Sequence, residues 1–205
     1  MPSPWEAALG DAVGDLRPEL RAYFAALPPE GEGVGSGVFD VVGTPHVWLR
    51  PLLLLIGGPS IWPVRAHDVP FEIRNRAVRG PGVAAERRIH LGGRTRTMRD
   101  QTVLTAPGTV VDRIGSPTRI EVALRPSVQE GALRLDSFAV RLRIGLLRLP
   151  LGPLSPRVTL TERFDAGRQH VALRVDAPVL GRIYEYAGSF TYEVRSQAAQ
   201  RREDR

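Results

Sequence analysis

The stretch RVTLTERFDAGRQHVALRVDAPVLGRIYEYAGSFTYEV (157–194) decides the fold. It holds three segments of period-two alternation, 157–165, 170–177 and 182–194, separated by DAG and PVLG. Alternation with β-branched and aromatic residues between short turn signals predicts antiparallel strands joined by tight connections. On the first segment Val158, Leu160, Glu162 and Phe164 share a face. On the third, Tyr184, Tyr186, Phe190 and Tyr192 do so.

Reading backward, the same period recurs in 132–147, 118–126, 109–115, 94–104, 83–91 and 70–78, punctuated by EG, GSP, APG, LGG and RGPG. No strand–helix alternation interrupts the run, which excludes a parallel dinucleotide-binding sheet. A long meander most easily removes its edges by closing. The expectation is therefore a mainly β fold, an antiparallel β-barrel or curled meander sheet of lipocalin-like or START-like type. Two or three short N-terminal helices lie against one end. Residues 4–28 give the helical spacing Leu16, Leu20, Tyr23, Phe24 and Leu27, with Pro18 in a first turn. Residues 28–37, PPEGEGVGSG, read as a loop, and 38–42 as a short strand. Residues 44–58 read as a helix weakened by Pro51. One domain spans 1–194, and 195–205 read as a flexible basic tail.

Composition narrows the function. The chain has 205 residues, is 42% hydrophobic, and carries a formal charge of +6. All 28 basic residues are Arg, which excludes a P-loop lysine, a Schiff-base lysine and a Ser–Lys pair, and points to a high-GC bacterial genome. There is no Cys, so disulfides, thiolate metal sites and a Cys nucleophile are excluded. His46, His67, His90 and His170 show no metal-ligand spacing, so neither metal nor cofactor is expected. The Arg residues lack aromatic interleaving, so nucleic acid is not the expected partner. No signal peptide or membrane-length apolar segment is read, and the expected location is cytoplasmic. A homodimer is compatible with the sequence.

The candidate chemistry lies on the strands. Glu162 among apolar neighbours would be desolvated and shifted toward a general acid; the alternative is a barrel-end Glu reaching water or an Arg. The tyrosines and Phe190 read as a ligand wall or as core. In ERRIHLGGRTRTMRDQ (86–101), one face is read as Glu86, Arg88 and His90 with Arg96, Met98 and Asp100. That set either lines a cavity or sits in water with its charges paired across strands. The catalytic candidates are Glu162, Asp100, His90 and Glu86. The substrate-binding candidates are Arg88, Met98, Tyr184, Tyr186, Phe190 and, from an apolar segment read as lid or plug, Trp48.

The segment GLLRLPLGPLSPRVTLTERFDAGRQHVALRVDAPVLGRIYEYAGSF (145–190) resembles a bacterial domain family of unknown function, found alone or fused behind short-chain or saccharopine-type oxidoreductase domains. The matching elements are Arg88, Asp112 to Gly115, Pro150, Pro153 and Pro156, and Gly181, Ile183, Tyr186 and Gly188. Glu86 and His90 stand where that family has aromatics. The resemblance covers roughly 16–192 and implies an antiparallel β fold with small N-terminal helices and no stated activity. In size and type the chain is also similar to stand-alone actinobacterial β-barrel cyclases of polyketide antibiotic biosynthesis, including spiroketal-forming ones. The expected function is thus a cofactor-free cyclase or isomerase acting by acid/base catalysis on a hydrophobic polyoxygenated small molecule. The alternatives are a lipid or polyketide carrier, or an interaction module of an oxidoreductase.

Overall fold

A computed structural model of the chain describes residues 1–196. The expected tail falls partly within it: Arg195 and Ser196 belong to the last strand, and 197–205 lie outside the described residues.

Helix α1 (Pro4–Leu9) begins with a capping box, in which the Ser3 hydroxyl accepts from the Glu6 N–H at 3.0 Å and Glu6 accepts from the Ser3 N–H at 2.7 Å. A 3-10 stretch leads to α2 (Pro18–Phe24), where Pro18 occupies the first turn. Eleven strands follow: β1 (Gly31–Gly43), β2 (Ala66–Ala77), β3 (Gly82–Leu91), β4 (Arg94–Ala106), β5 (Thr109–Ile114), β6 (Ile120–Gln129), β7 (Ala132–Ile144), β8 (Leu147–Pro150), β9 (Arg157–Asp165), β10 (Arg168–Ala177) and β11 (Gly181–Ser196). The β1–β2 connection carries α3 (Arg50–Gly57), with Pro51 in its first turn, so that the proline starts this helix instead of breaking it.

All pairings are antiparallel. Consecutive strands pair, except β8 with β9; β1 pairs with β11 and β7 pairs with β9, which closes a ten-stranded barrel. β8 folds back on the upper part of β7, taking over the edge that β9 occupies lower down. Where that ladder ends, the Ser137 hydroxyl accepts the Val158 N–H at 2.7 Å.

The glycine-rich segment 31–37 is strand and not loop. Gly33, Gly35 and Gly37 alternate with Val34, Ser36 and Val38, and their bare Cα atoms face inward. A Cβ on Gly33 would sit 1.5 Å from the Tyr192 hydroxyl oxygen, and one on Gly37 2.5 Å from the Phe190 Cβ. The glycines make room for large aromatics arriving from β11.

The core divides in two. Leu16, Leu20 and Phe24 pack with Val110, Ile120, Val122, Leu124, Leu133, Leu135, Val140 and Val158 on the β5–β9 side. Phe39, Val69, Phe71, Ile73, Ile89, Val171 and Phe190 form the other half. Tyr23, Leu160 and Leu173 touch both.

Candidate functional site

The register of the β3–β4 hairpin determines which charges go inside. Its turn is Gly92–Gly93, with φ of +53° and +81°. Two left-handed residues form the two-residue turn that matches strand twist, and glycine adopts this backbone without strain. Leu91 then pairs with Arg94, Arg87 with Met98 and Glu86 with Arg99. Odd-numbered residues of β3 therefore share a face with even-numbered residues of β4. The sequence reading, which joined Glu86, Arg88 and His90 to Met98 and Asp100, is corrected by one residue. The inner face carries Ala85, Arg87 and Ile89 with Met98 and Asp100. The outer face carries Glu86, Arg88 and His90 with Thr95, Thr97 and Arg99.

On the outside, Glu86 accepts from Arg88 at 3.1 Å and from Arg99 at 2.9 Å, and the Arg99 hydrogen bond holds its carboxyl below the usual glutamate range. A ring nitrogen of His90 is 3.1 Å from the Thr95 hydroxyl, and the other is 3.7 Å from Glu72. Trp48 is 62% exposed on the α3 connection, outside the barrel. Glu86, Arg88 and His90 do not reach the interior because the pleat sends alternate residues to opposite faces, and Trp48 lies off the strands in the β1–β2 connection.

On the inside, Arg87 forms an ion pair and hydrogen bond with Asp100. The Arg87 side chain keeps 19% exposure and Asp100 keeps 5%, and both line a cavity of about 40 Å³. Trp5, Tyr23, Asn75, Thr102 and Tyr192 also line it. Burial is the largest single influence on Arg87 and opposes its charge, but Asp100, Tyr186, Tyr23 and Asp112 together outweigh it and raise the Arg pKa. Burial pushes the Asp100 carboxyl upward against the pull of Arg87. Asp112 sits opposite Thr102, whose hydroxyl donates to it at 3.4 Å. Burial first and the Asp100 charge second raise Asp112 to about 7.

Across the barrel, Glu162 accepts a hydrogen bond from the Gln169 amide, and burial pushes its carboxyl up to about 7. All four tyrosines of the chain turn inward. Tyr23 enters from α2 and stands edge-on to Phe190 and Tyr192, with centroids at 5.8 and 4.5 Å. Burial raises its pKa, and the Glu162 charge adds to the effect. Tyr186 is raised by burial, and Tyr192, which accepts from the Asn75 amide at 3.2 Å, is pushed up to about 12. Tyr184 lies toward the far end, where the Trp62 backbone hydrogen-bonds to it. Phe190, Phe71, Phe39 and Tyr186 form a stacked and edge-on aromatic group around a second cavity of about 10 Å³.

Of the sequence candidates, Glu162, Asp100, Met98, Tyr184, Tyr186 and Phe190 share the interior. The sequence reading missed Arg87, Asp112, Gln169, Asn75, Thr102 and Tyr23. Arg87 was legible from the two-residue turn, which fixes pairing parity. Asp112 was legible from its alternation with Val110 and Ile114. Tyr23 carried no signal beyond helical spacing. Chemically, the set offers one fixed cation, two carboxyls that exchange protons near neutrality, and hydroxyl donors. Among the described residues there is no cluster of His, Asp and Glu that would hold a metal ion.

No curated protein sequence matches the chain. The crystal structure of Rv2717c from M. tuberculosis aligns with a TM-score of 0.46 at 15% identity, over 87% of this chain and 99% of that one. The profile of a domain of unknown function, DUF4166, matches residues 16–190, and the chain belongs to that family.

Proposed function

We propose that the barrel binds a small, largely apolar, oxygen-bearing molecule and moves a proton on it by general acid/base catalysis. The observation that carries this reading is the gathering of Asp100, Asp112 and Glu162 with Arg87 and the tyrosines inside a closed barrel, with Asp112 and Glu162 held near pKa 7. A carboxyl with that pKa donates and accepts protons with comparable ease at neutral pH. One protonated carboxyl would activate a carbonyl or departing oxygen, and a second ionised one would take the proton of an attacking hydroxyl. Cyclisation of a hydroxyketone is the reaction of this type, and its most concrete form is spiroketal formation from a dihydroxyketone, in which both hydroxyls bond to the ketone carbon and its oxygen leaves as water. Arg87 and the Tyr186 hydroxyl would orient the oxygens.

Access would run through the helical end. The 40 Å³ cavity holds about one water, so a ligand needs Tyr23 and the α1–α2 segment to move aside. That same small volume favours a second reading, a filled barrel acting as an interaction module. The test is incubation of the protein with apolar hydroxyketones, monitored by NMR and mass spectrometry, for wild type, Glu162→Gln and Asp112→Asn. Conversion that falls in either variant, without mass change for hemiketal closure or with loss of one water for spiroketal closure, supports acid/base catalysis. Binding without conversion supports a carrier. Neither binding nor conversion leaves the filled barrel.

A further inference from the structure

The two ends of the barrel are built from different residues. At the helical end, the N-terminal segment 1–30 and the β6–β7 turn carry Glu6, Asp11, Asp15, Glu19, Glu30 and Glu130. At the other end lie the connections 44–65, 92–93, 115–119, 145–156 (including β8) and 178–180. The register brings them together: Gly43 faces Glu185, Ala66 faces Val42, Ile120 faces Leu142, and Arg157 faces Asp176. These connections contain no Asp or Glu and carry Arg50, Arg65, Arg119 and Arg148.

Large apolar side chains project from separate tips of this same end. Leu146 at the β7–β8 turn is 97% exposed and Val179 at the β10–β11 turn is 104% exposed. Leu55 on α3, Trp48 before it, Ile144 and Leu154 are exposed as well. Arg119 donates to the Leu55 carbonyl at 3.0 Å, which ties α3 to the β5–β6 connection beside the end of β7.

Separate protruding apolar tips offer no continuous flat surface for a rigid partner. They do match a fluid hydrocarbon boundary, into which each tip inserts on its own. A tryptophan at the edge and four loop arginines, which outnumber the two strand-end carboxylates beside them (Glu121, 3.6 Å from Arg148, and Glu185, 2.7 Å from Arg65), complement a negatively charged headgroup layer. We infer that the end of the barrel opposite α1–α2 docks on the surface of an anionic lipid bilayer, inserting the tips at Leu146, Val179 and Leu55 while Arg50, Arg119 and Arg148 meet the headgroups. Among the described residues no helix is long and apolar enough to cross a membrane, and the docking is peripheral.

The experiment is co-sedimentation of the purified full chain with phosphatidylcholine vesicles and with phosphatidylcholine–phosphatidylglycerol vesicles, at low and high ionic strength. Sedimentation velocity is run without lipid. Binding to the anionic vesicles that weakens with salt is expected. Leu146→Asp combined with Val179→Asp should lower it about tenfold or more, since both side chains lose apolar insertion. These positions are solvated, so the fold is spared, and circular dichroism verifies that. Arg79→Glu, in the β2–β3 turn at the helical end, should leave vesicle binding unchanged. No binding to anionic vesicles overturns the inference, and so does binding that is indifferent to the Leu146 and Val179 changes. A wild-type dimer that the double variant separates would replace the bilayer by a second copy of the chain.

Discussion

The inner and outer faces of the β3–β4 hairpin carry similar residues and meet different fates. Outside, Glu86 lies between Arg88 and Arg99; inside, Asp100 lies against Arg87. The outer groups stay largely hydrated, so their pairing adds little and is screened by salt. The inner groups have lost most of their water, so each depends on its partner, and nearby Asp112 is pushed toward neutrality. The chemistry of a carboxylate on this hairpin is set by which side of the pleat it occupies.

The largest expected effect breaks the inner pair. Asp100→Ala leaves Arg87 as an unpaired cation and should cost about 3–5 kcal/mol, read from chemical denaturation. The double change Arg87→Met with Asp100→Leu should cost far less than that, because no charge is left stranded. A loss from the double variant equal to that from Asp100→Ala would assign the pair a role beyond mutual neutralisation.

Next comes pH. Glu162 and Asp112 have folded pKa values of about 7, above their ordinary values near 4. The folded state therefore holds protons that the unfolded state releases. Their contribution to stability is full below about pH 4 and falls as pH rises toward 7, by up to about 3 kcal/mol per group. Glu162→Gln should flatten that slope, whereas Glu86→Gln on the outer face should leave it in place. Denaturation midpoints measured across that range decide this.

A smaller effect tests the turn that assigns the faces. Gly92→Ala and Gly93→Ala put a side chain on left-handed backbone and should each cost about 1 kcal/mol. The smallest expected effect is Glu86→Gln itself, at under about 1 kcal/mol and less at high salt.

Strand β9 falls at 157–165 as read, and alternation alone aimed Glu162 and the β11 tyrosines inward. Periodicity worked there because each inward set is mostly apolar. It failed on β3 and β4, where both faces carry charge, and only the parity of a two-residue glycine turn separates Arg87 from Arg88. It failed again at 31–37, where inward glycines show no apolar period because the bulk they leave room for, Tyr192 and Phe190, comes from another strand. Tyr23 was hidden for a different reason: its place in the barrel depends on how α2 docks, which no local pattern encodes.

The most direct test of the account is a carbon-detected NMR titration of the side-chain carboxyls, with Glu162 and Asp112 compared with Glu86. Glu162 and Asp112 are expected to titrate near pH 7 and Glu86 below the usual glutamate range. Ordinary carboxylate values for Glu162 and Asp112 would contradict the account, because they would mean that the barrel interior is wet and its acids are not poised.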